Sequence, residues 1–289
     1  MTLVCIGDLV EDVVVWPREV VRQGTDNPAR VQRLRGGSAS NVAVFASGLG
    51  TPVRFVGRVG DDPAGAALVG QLVAAGVEPK VQQHGHTGTI VILVDAAGER
   101  TMFPDRAAAA ELADVPDEWI SGARACHLSA YSLVGSSWPV LCRAAEIAHS
   151  EGAILTVDAA SVALIDQVGP KEFRAMVSAL RPTYVFANRA EADIGELRDL
   201  TGTTVVVKNG VDPTEIHAPG DHFATVRPPA VAAVRDTTGA GDAFAAGFLA
   251  AILNTADPIA AIGAGHSLAR RVLSEPGATL STDDPGAET

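Results

Sequence analysis

Residues 236–253 read Asp-Thr-Thr-Gly-Ala-Gly-Asp-Ala-Phe-Ala-Ala-Gly-Phe-Leu-Ala-Ala-Ile-Leu, and beyond Gly239 the only charged side chain among them is Asp242. A run this small and apolar predicts a helix buried on every side. An ionised carboxylate in such a place needs a partner or a task. Asp242 falls in the first turn, where the N–H groups of Gly239, Ala240 and Gly241 have no acceptor within the helix. Glycines let a backbone close on a ligand, and a helix N-terminus carries partial positive charge. An anion cradle beside an acid suits phosphoryl transfer to an alcohol. The amides hold charge building on the phosphoryl oxygens, and the carboxylate takes the hydroxyl proton. The same spacing equally fits a structural role, with Asp236 as N-cap, the glycines as a turn, and an acid favoured by the helix dipole.

Other residues of chemical interest lie at strand ends. Asp8 and Asp12 follow the buried strand at 3–7, at the carboxyl edge where open α/β sheets place ligands, although two acids this close also suit a turn. Gly36 and Gly37 precede a helix over 38–48 for which Ser38 is the expected N-cap. Asn188 and Glu191 follow the strand at 184–187, in a spacing that also makes a capping box. Lys208 ends the next strand, with Gly210 in the turn beyond, placed either to neutralise phosphate or to be solvated. The seven histidines are scattered, and His84 and His86 sit in a glycine-bearing loop without further ligands, so no zinc site is expected.

The three polar motifs carry a resemblance. Asp-Thr-Thr-Gly-Ala-Gly-Asp-Ala-Phe at 236–244 resembles the C-terminal signature of the ribokinase-like (PfkB) carbohydrate kinases. Gly36-Gly37-Ser-Ala-Ser-Asn41 resembles their N-terminal signature, and Asn188-Arg-Ala-Glu191 their Asn-x-x-Glu motif. All three stand in the family's order and span nearly the whole chain. The resemblance implies a three-layer α/β sandwich around a mostly parallel sheet, plus a small β-sheet lid. It implies ATP-dependent phosphorylation of a hydroxymethyl group on a sugar or related small polyol. Asp242 would be the general base, and Gly239, Ala240 and Gly241 the anion hole. Asp12, Gly37 and Asn41 would orient the acceptor, with Gly36 and Gly37 as a hinge. Asn188, Glu191, Lys208, Gly210, Thr238, Gly239 and Gly241 would face the nucleotide, and His266 would lie on the helix near adenine. Glu191 would organise water around Mg²⁺, which keeps several waters when bound. Asp236, Thr238, Gly277 and Ser281 match positions where some members bind a monovalent cation such as K⁺. Two departures stand out: Val10 replaces the Asn of ribose-specific members, and Pro213 replaces a glycine near the nucleotide.

The elements that must position these residues follow from apolar runs and turn signals. Strands are predicted at 53–56, 125–128, 153–157, 184–187 and 204–207, and helices near 63–75, 138–150, 171–180 and 189–199. This alternation gives a mostly parallel sheet covered on both faces. Runs at 13–16, 29–35, 89–94 and 100–103, the last two around the turn at 95–98, make about four strands outside the main sheet. They are the expected lid, which would exclude competing water. Arg100 and Asp105 are placed to touch substrate through that lid, or to be exposed strand-end charges. The segment 214–226 reads as a hairpin at a sheet edge. One domain over 1–289 is expected, its core about 1–9, 36–82 and 107–280, its lid about 10–35 and 83–106.

Composition narrows the classes. The chain has 289 residues, 47% hydrophobic and 19% charged, which is enough for a large core and too apolar for disorder. A net charge of −12 argues against nucleic acid or an anionic membrane as partner. Three cysteines without metal-ligand spacing read as free thiols in a reducing compartment. The N-terminus lacks a signal-peptide pattern, and no apolar run approaches the roughly 20 residues of a membrane span, so a cytoplasmic protein is expected. Lid edges invite pairing across a homodimer. The rivals to a sugar kinase are a nucleoside kinase of the same family and a non-catalytic sugar- or nucleotide-binding regulator. A dinucleotide oxidoreductase is the weakest, because Gly7-Asp-Leu-Val-Glu-Asp12 does not supply Gly-x-Gly-x-x-Gly.

Overall fold

The computed structural model describes residues 2–96, 98–220, 222–231, 234–274 and 278. The expected cation contacts Gly277 and Ser281 lie outside the described residues. In chain order the strands are β1 (Thr2–Ile6), β2 (Val10–Pro17), β3 (Ala29–Gly36), β4 (Val53–Val59), β5 (Glu78–Gln83), β6 (Thr89–Val94) and β7 (Arg100–Asp105). They continue with β8 (Ala123–Ser129), β9 (Ile154–Asp158), β10 (Tyr184–Asn188), β11 (Thr204–Lys208), β12 (Thr214–Ala218) and β13 (His222–Val226). The helices are α1 (Ser38–Gly48), α2 (Pro63–Ala74), α3 (Trp138–Ser150), α4 (Val162–Val168), α5 (Pro170–Leu180), α6 (Arg189–Ile194), α7 (Ala240–Thr255) and α8 (Pro258–Leu273).

Among the described residues the strands form two sheets. The larger has nine, in the order β13-β12-β11-β10-β9-β8-β1-β4-β5. Pairing is parallel from β11 to β5, and the β12–β13 hairpin adds an antiparallel edge. The smaller sheet, β3-β2-β6-β7, draws on two separate chain segments, as expected. Alternation along the central strands sorts side chains onto two faces. Leu3 and Cys5 join a core with α1, α2, α7 and α8, whereas Val4 and Ile6 join one with α3, α4, α5 and α6. Helix α7 is held on its face by Phe244 and Phe248 edge-on to Phe186, and by Phe248 edge-on to Tyr184. Each such ring pair adds about 0.5–1.5 kcal/mol beyond the area it buries.

The small sheet is two-faced as well. Val14, Ile92 and Val94 pack on one side, while Val31, Val91 and Phe103 on the other are exposed. Cys5 and Cys126 are buried free thiols, and Cys142 is half-buried. No helix among the described residues is long and apolar enough to cross a membrane.

Helix α4 was not expected, and two further elements depart from expectation for a local reason. Strand β5, Glu-Pro-Lys-Val-Gln-Gln, has no apolar alternation; it pairs on one side only, at the sheet edge, where a proline is tolerated. Helix α6 stops at Ile194 rather than near 199, because Gly195 caps it and Glu196 turns left-handed at φ 48°.

Candidate active site

The start of α1 is set by a tight backbone crossing. Gly37 has φ 102°, and a Cβ there would lie 2.3 Å from the Asp8 carbonyl oxygen. Only glycine fits. Gly37 is therefore the N-cap residue, and Ser38, expected in that role, is the first residue of the helix. Its hydroxyl is thereby free for another contact, and donates to Asp242 Oδ1 at 2.8 Å. One turn on, Asn41 Nδ2 donates to Asp242 Oδ2 at 2.8 Å. The Asn41 amide is oriented by Arg35, whose Nη1 donates to Asn41 Oδ1 at 2.7 Å and to Ser40 Oγ at 3.0 Å. Both Asp242 oxygens are thus fixed from α1.

Asp242 stands in the first turn of α7, enclosed but still partly accessible. Burial pushes its carboxyl up to about 7, and the charge of Asp158 adds to this, against the opposing effects of Asn41, Ser38 and Lys208. Asp12, on β2, is likewise raised to about 7 by burial first, then by its neighbour Asp8; Arg35 and Arg100 oppose this and Asp242 adds to it. Among the described residues Asp12 Oδ1 is buried without a hydrogen-bond partner. It lies where a Cβ on Gly36 would be, 2.2 Å away, so that glycine too makes room. Asp8 accepts from Ala39 N at 3.3 Å and from Arg106 Nη1 at 3.2 Å, fastening β1 to α1 and to the chain leaving the small sheet.

The loop before α7 differs from both sequence readings. Gly239, left-handed at φ 72°, is the N-cap, not Asp236. Asp236 Oδ1 instead accepts from Thr238 N at 2.8 Å and Thr238 Oγ1 at 2.7 Å, and pairs with Arg100 reaching over from β7. Ala240 N donates to Thr237 O at 3.3 Å, so it is not among the open amides. Those of Gly239, Gly241 and Asp242 have no acceptor among the described residues.

Asn188 and Glu191 form the capping box of α6. Asn188 N donates to Glu191 Oε2 at 2.8 Å, Asn188 Nδ2 to Oε1 at 2.6 Å, and Glu191 N to Asn188 Oδ1 at 2.9 Å. Glu191 is buried, which raises its pKa, and nearby Asp158 adds to that. Among the described residues no group of three or more His, Cys, Asp or Glu is gathered for a metal. A lone carboxylate whose oxygens already accept one bond each fits a hydrated cation held through water better than a directly caged one.

Lys208 is not solvated: its Nζ donates to Asp158 Oδ2 at 2.9 Å. Gly210, φ 62°, occupies the turn after β11. His266 is buried, with Nε2 2.8 Å from Thr214 Oγ1 and its ring against Phe244. Asp105 is exposed and faces His86 at 3.3 Å. Hydrogen bonds and charge interactions therefore bring Asp242, Ser38, Asn41, Arg35, Asp12, Arg100 and the glycine loop together in one cluster, with Lys208 and Asp158 at its side. Ser38 as a partner of Asp242, Arg35 and Asp158 were not singled out in the sequence. Asp158 was within reach of the rule that marked Asp8, since it ends a buried parallel strand.

Comparison with known proteins gives the family and the fold. The model of the pfkB family carbohydrate kinases matches residues 1–285. An ATP-dependent ribose-1-phosphate kinase of Halopiger xanaduensis is 30% identical over 248 residues, 80% of this chain and 79% of that one. A fructokinase of Klebsiella pneumoniae is 28% identical over 312 residues, covering 98% and 94%. In fold, the adenosine kinase of Sinorhizobium meliloti superposes with a TM-score of 0.85 at 23% identity, over 98% and 96% of the two chains. With the three motifs in order on a ribokinase-like frame, and the match running almost end to end, this chain belongs to the pfkB family of carbohydrate kinases and is an ATP-using phosphotransferase with an alcohol group as acceptor.

Proposed function

We propose that the enzyme phosphorylates a hydroxymethyl group of a sugar or related small polyol, with Asp242 as general base. The observation that carries this reading is the clamped carboxylate of Asp242 beside the open amides of Gly239, Gly241 and its own N–H. A base must be near neutrality to take a proton at physiological pH, and burial puts Asp242 at about 7. The acceptor hydroxyl gives its proton to Asp242 as its oxygen attacks the terminal phosphorus of ATP. The bond to the leaving ADP breaks, and charge on the transferred oxygens rests on the loop amides. Asp12, with one unpartnered buried oxygen, accepts from a second hydroxyl of the acceptor. Asn41 orients both Asp242 and the acceptor. Mg²⁺ arriving with the nucleotide would be held by Glu191 through water, and would supply neutralisation of phosphate charge.

The small sheet serves as a lid in this reading. Arg100 ties it to the glycine loop, and Arg106, just beyond β7, ties it to Asp8. Covering the cleft excludes water, which otherwise competes as phosphoryl acceptor. The relatives named as ribose-1-phosphate kinase and fructokinase support a sugar-class acceptor. The test is a coupled ADP-release assay over pentoses, hexoses, their monophosphates and nucleosides, followed by hydrogen exchange with the compound that is turned over. Acceptor-dependent turnover of a sugar-class compound is expected, with slower exchange of residues 13–35 in its presence. ADP release indifferent to every acceptor, or identical exchange in both states, contradicts the reading.

A further inference from the structure

Of Asp236, Thr238, Gly277 and Ser281, the residues that match a monovalent-cation site, Asp236 is the only charged one. The fold puts its carboxylate to another use. Asp236 Oδ1 accepts from Thr238 N at 2.8 Å and from Thr238 Oγ1 at 2.7 Å, and it pairs with Arg100 Nη2. Arg100 opens β7, an edge strand of the small sheet, far from Asp236 in the chain. The pair is enclosed, with side chains only 19% and 12% exposed, so salt screens it less than a surface pair. A guanidinium keeps its charge at every working pH. The two described members of the expected cation site are thus bonded to each other, and the carboxylate already has a cation on it. A metal ion reaching the same oxygen would displace a donor and face the guanidinium. Asp236 and Thr238, as they stand, do not fit a monovalent cation.

The loop nevertheless needs a positive charge at this point. Asp236 holds Thr238, Thr237 O accepts from Ala240 N at 3.3 Å, and Gly239 then turns left-handed into α7. Asp236 thereby shapes the segment that presents the open amides of Gly239, Gly241 and Asp242. Its own negative charge, so close to those amides, opposes an incoming phosphoryl group. Neutralising the carboxylate keeps the shape of the loop and removes the repulsion. Arg100 also acts on Asp12, opposing the rise that burial causes in that carboxyl. One guanidinium therefore stands within charge range of both the acid expected to meet the acceptor and the loop expected to meet the phosphoryl group. Because it belongs to the small sheet, the counter-charge comes with the covering element and not with a diffusible ion.

We propose that Arg100 is a positioning residue that takes the place of the monovalent cation, so that this enzyme works without K⁺. The assignment rests on the kinase reading above and concerns what completes its anion hole. The test compares K⁺ with tetramethylammonium at equal ionic strength, for wild type and Arg100→Ala. Two quantities are read: acceptor-dependent kcat, and calorimetric affinity for the Mg-bound β,γ-imido analogue of ATP. Wild type is expected to give the same values in both salts. In tetramethylammonium, Arg100→Ala should lose about tenfold in kcat and in analogue affinity, the scale of one hydrogen bond to a charged group. Dilute guanidinium chloride, far below denaturing concentration, should restore most of both by filling the place of the missing side chain. A residue that only held the fold together would not be rescued in this way. Stimulation of wild type by K⁺, an Arg100→Ala enzyme equal to wild type in tetramethylammonium, or losses that guanidinium does not repair would overturn the proposal. If Arg100→Ala fails to fold, Arg100→Lys, which keeps the charge, should outpace Arg100→Gln, which does not, and equal rates would overturn it too. Turnover that requires K⁺ would reject this assignment and leave the kinase reading standing. The absence of any accepted acceptor would reject that reading and leave analogue binding to decide this one.

Discussion

Turnover of the Asp242→Asn enzyme is expected to fall by roughly a hundredfold or more, the usual contribution of a positioned general base. The protein should still fold. In the variant the amide oxygen can accept from Asn41 Nδ2, and the Ser38 hydroxyl can turn to accept from the new NH₂, so both clamps of the native site survive with roles exchanged. Acceptor and nucleotide affinities should change little. The variant should also be more stable at pH 8. A carboxyl near 3.8 when unfolded and about 7 when folded binds its proton more tightly in the native state. Its contribution is fully present below about pH 3.8 and is lost progressively as pH rises from there through about 7. Asparagine has no charge to desolvate, so above neutrality the variant avoids a cost on the order of 4 kcal/mol and melts several degrees higher. Below about pH 3.8, where the carboxyl is protonated in both states, wild type and variant should melt together. For the same reason wild-type kcat should climb with pH through about 7 as the base loses its proton. Native turnover in the Asp242→Asn enzyme, or a wild-type rate flat from pH 5 to 8, would remove Asp242 from the role of base.

The second large effect separates two adjacent glycines. Gly37→Ala should destabilise the protein by about 3 kcal/mol or more, since alanine must adopt an unfavourable left-handed backbone while its methyl overlaps the carbonyl of Asp8. Neither partner can swing aside, because both are backbone. Helix α1 would have to shift at its first turn, taking Ser38 and Asn41 away from Asp242. Gly36→Ala meets only the end of the Asp12 side chain, which can rotate. It should fold, with a melting temperature near that of wild type, and show mainly a raised KM for the acceptor. Thermal melts and steady-state kinetics on the pair distinguish the two cases. Similar melting of both variants would contradict the crossing at Gly37 as the fixed point of the site.

What was legible in the sequence was local. The acid in the first turn of α7 and the presence of helices after Gly37 and Gly239 follow from backbone chemistry within a few residues, whereas the caps of both helices differ from those expected. The two segments that supply the small sheet were legible for the same reason, as apolar strands interrupted by turn residues. Contacts between distant segments were not. Ser38 reads as an N-cap by type and position, yet the overlap with Asp8 makes Gly37 the cap and frees the hydroxyl for Asp242, 204 residues away. Lys208 reads as a strand-end lysine placed either to neutralise phosphate or to be solvated, and only the fold brings Asp158 to pair with it. Asp236 has the composition of a cap, but Arg100 comes from another sheet to meet it, which no local spacing announces. Strand β5 was invisible because an edge strand owes its pairing to its neighbour and not to its own pattern.

The most direct measurement is a structure of the enzyme bound to its accepted sugar, ADP and aluminium fluoride, which mimics the phosphoryl group in flight. An acceptor hydroxyl within about 3 Å of the Asp242 carboxylate, with fluorides facing the amides of Gly239, Gly241 and Asp242, is the result this account requires. A hydroxyl activated by a different side chain, or fluoride seated away from the glycine loop, would contradict it.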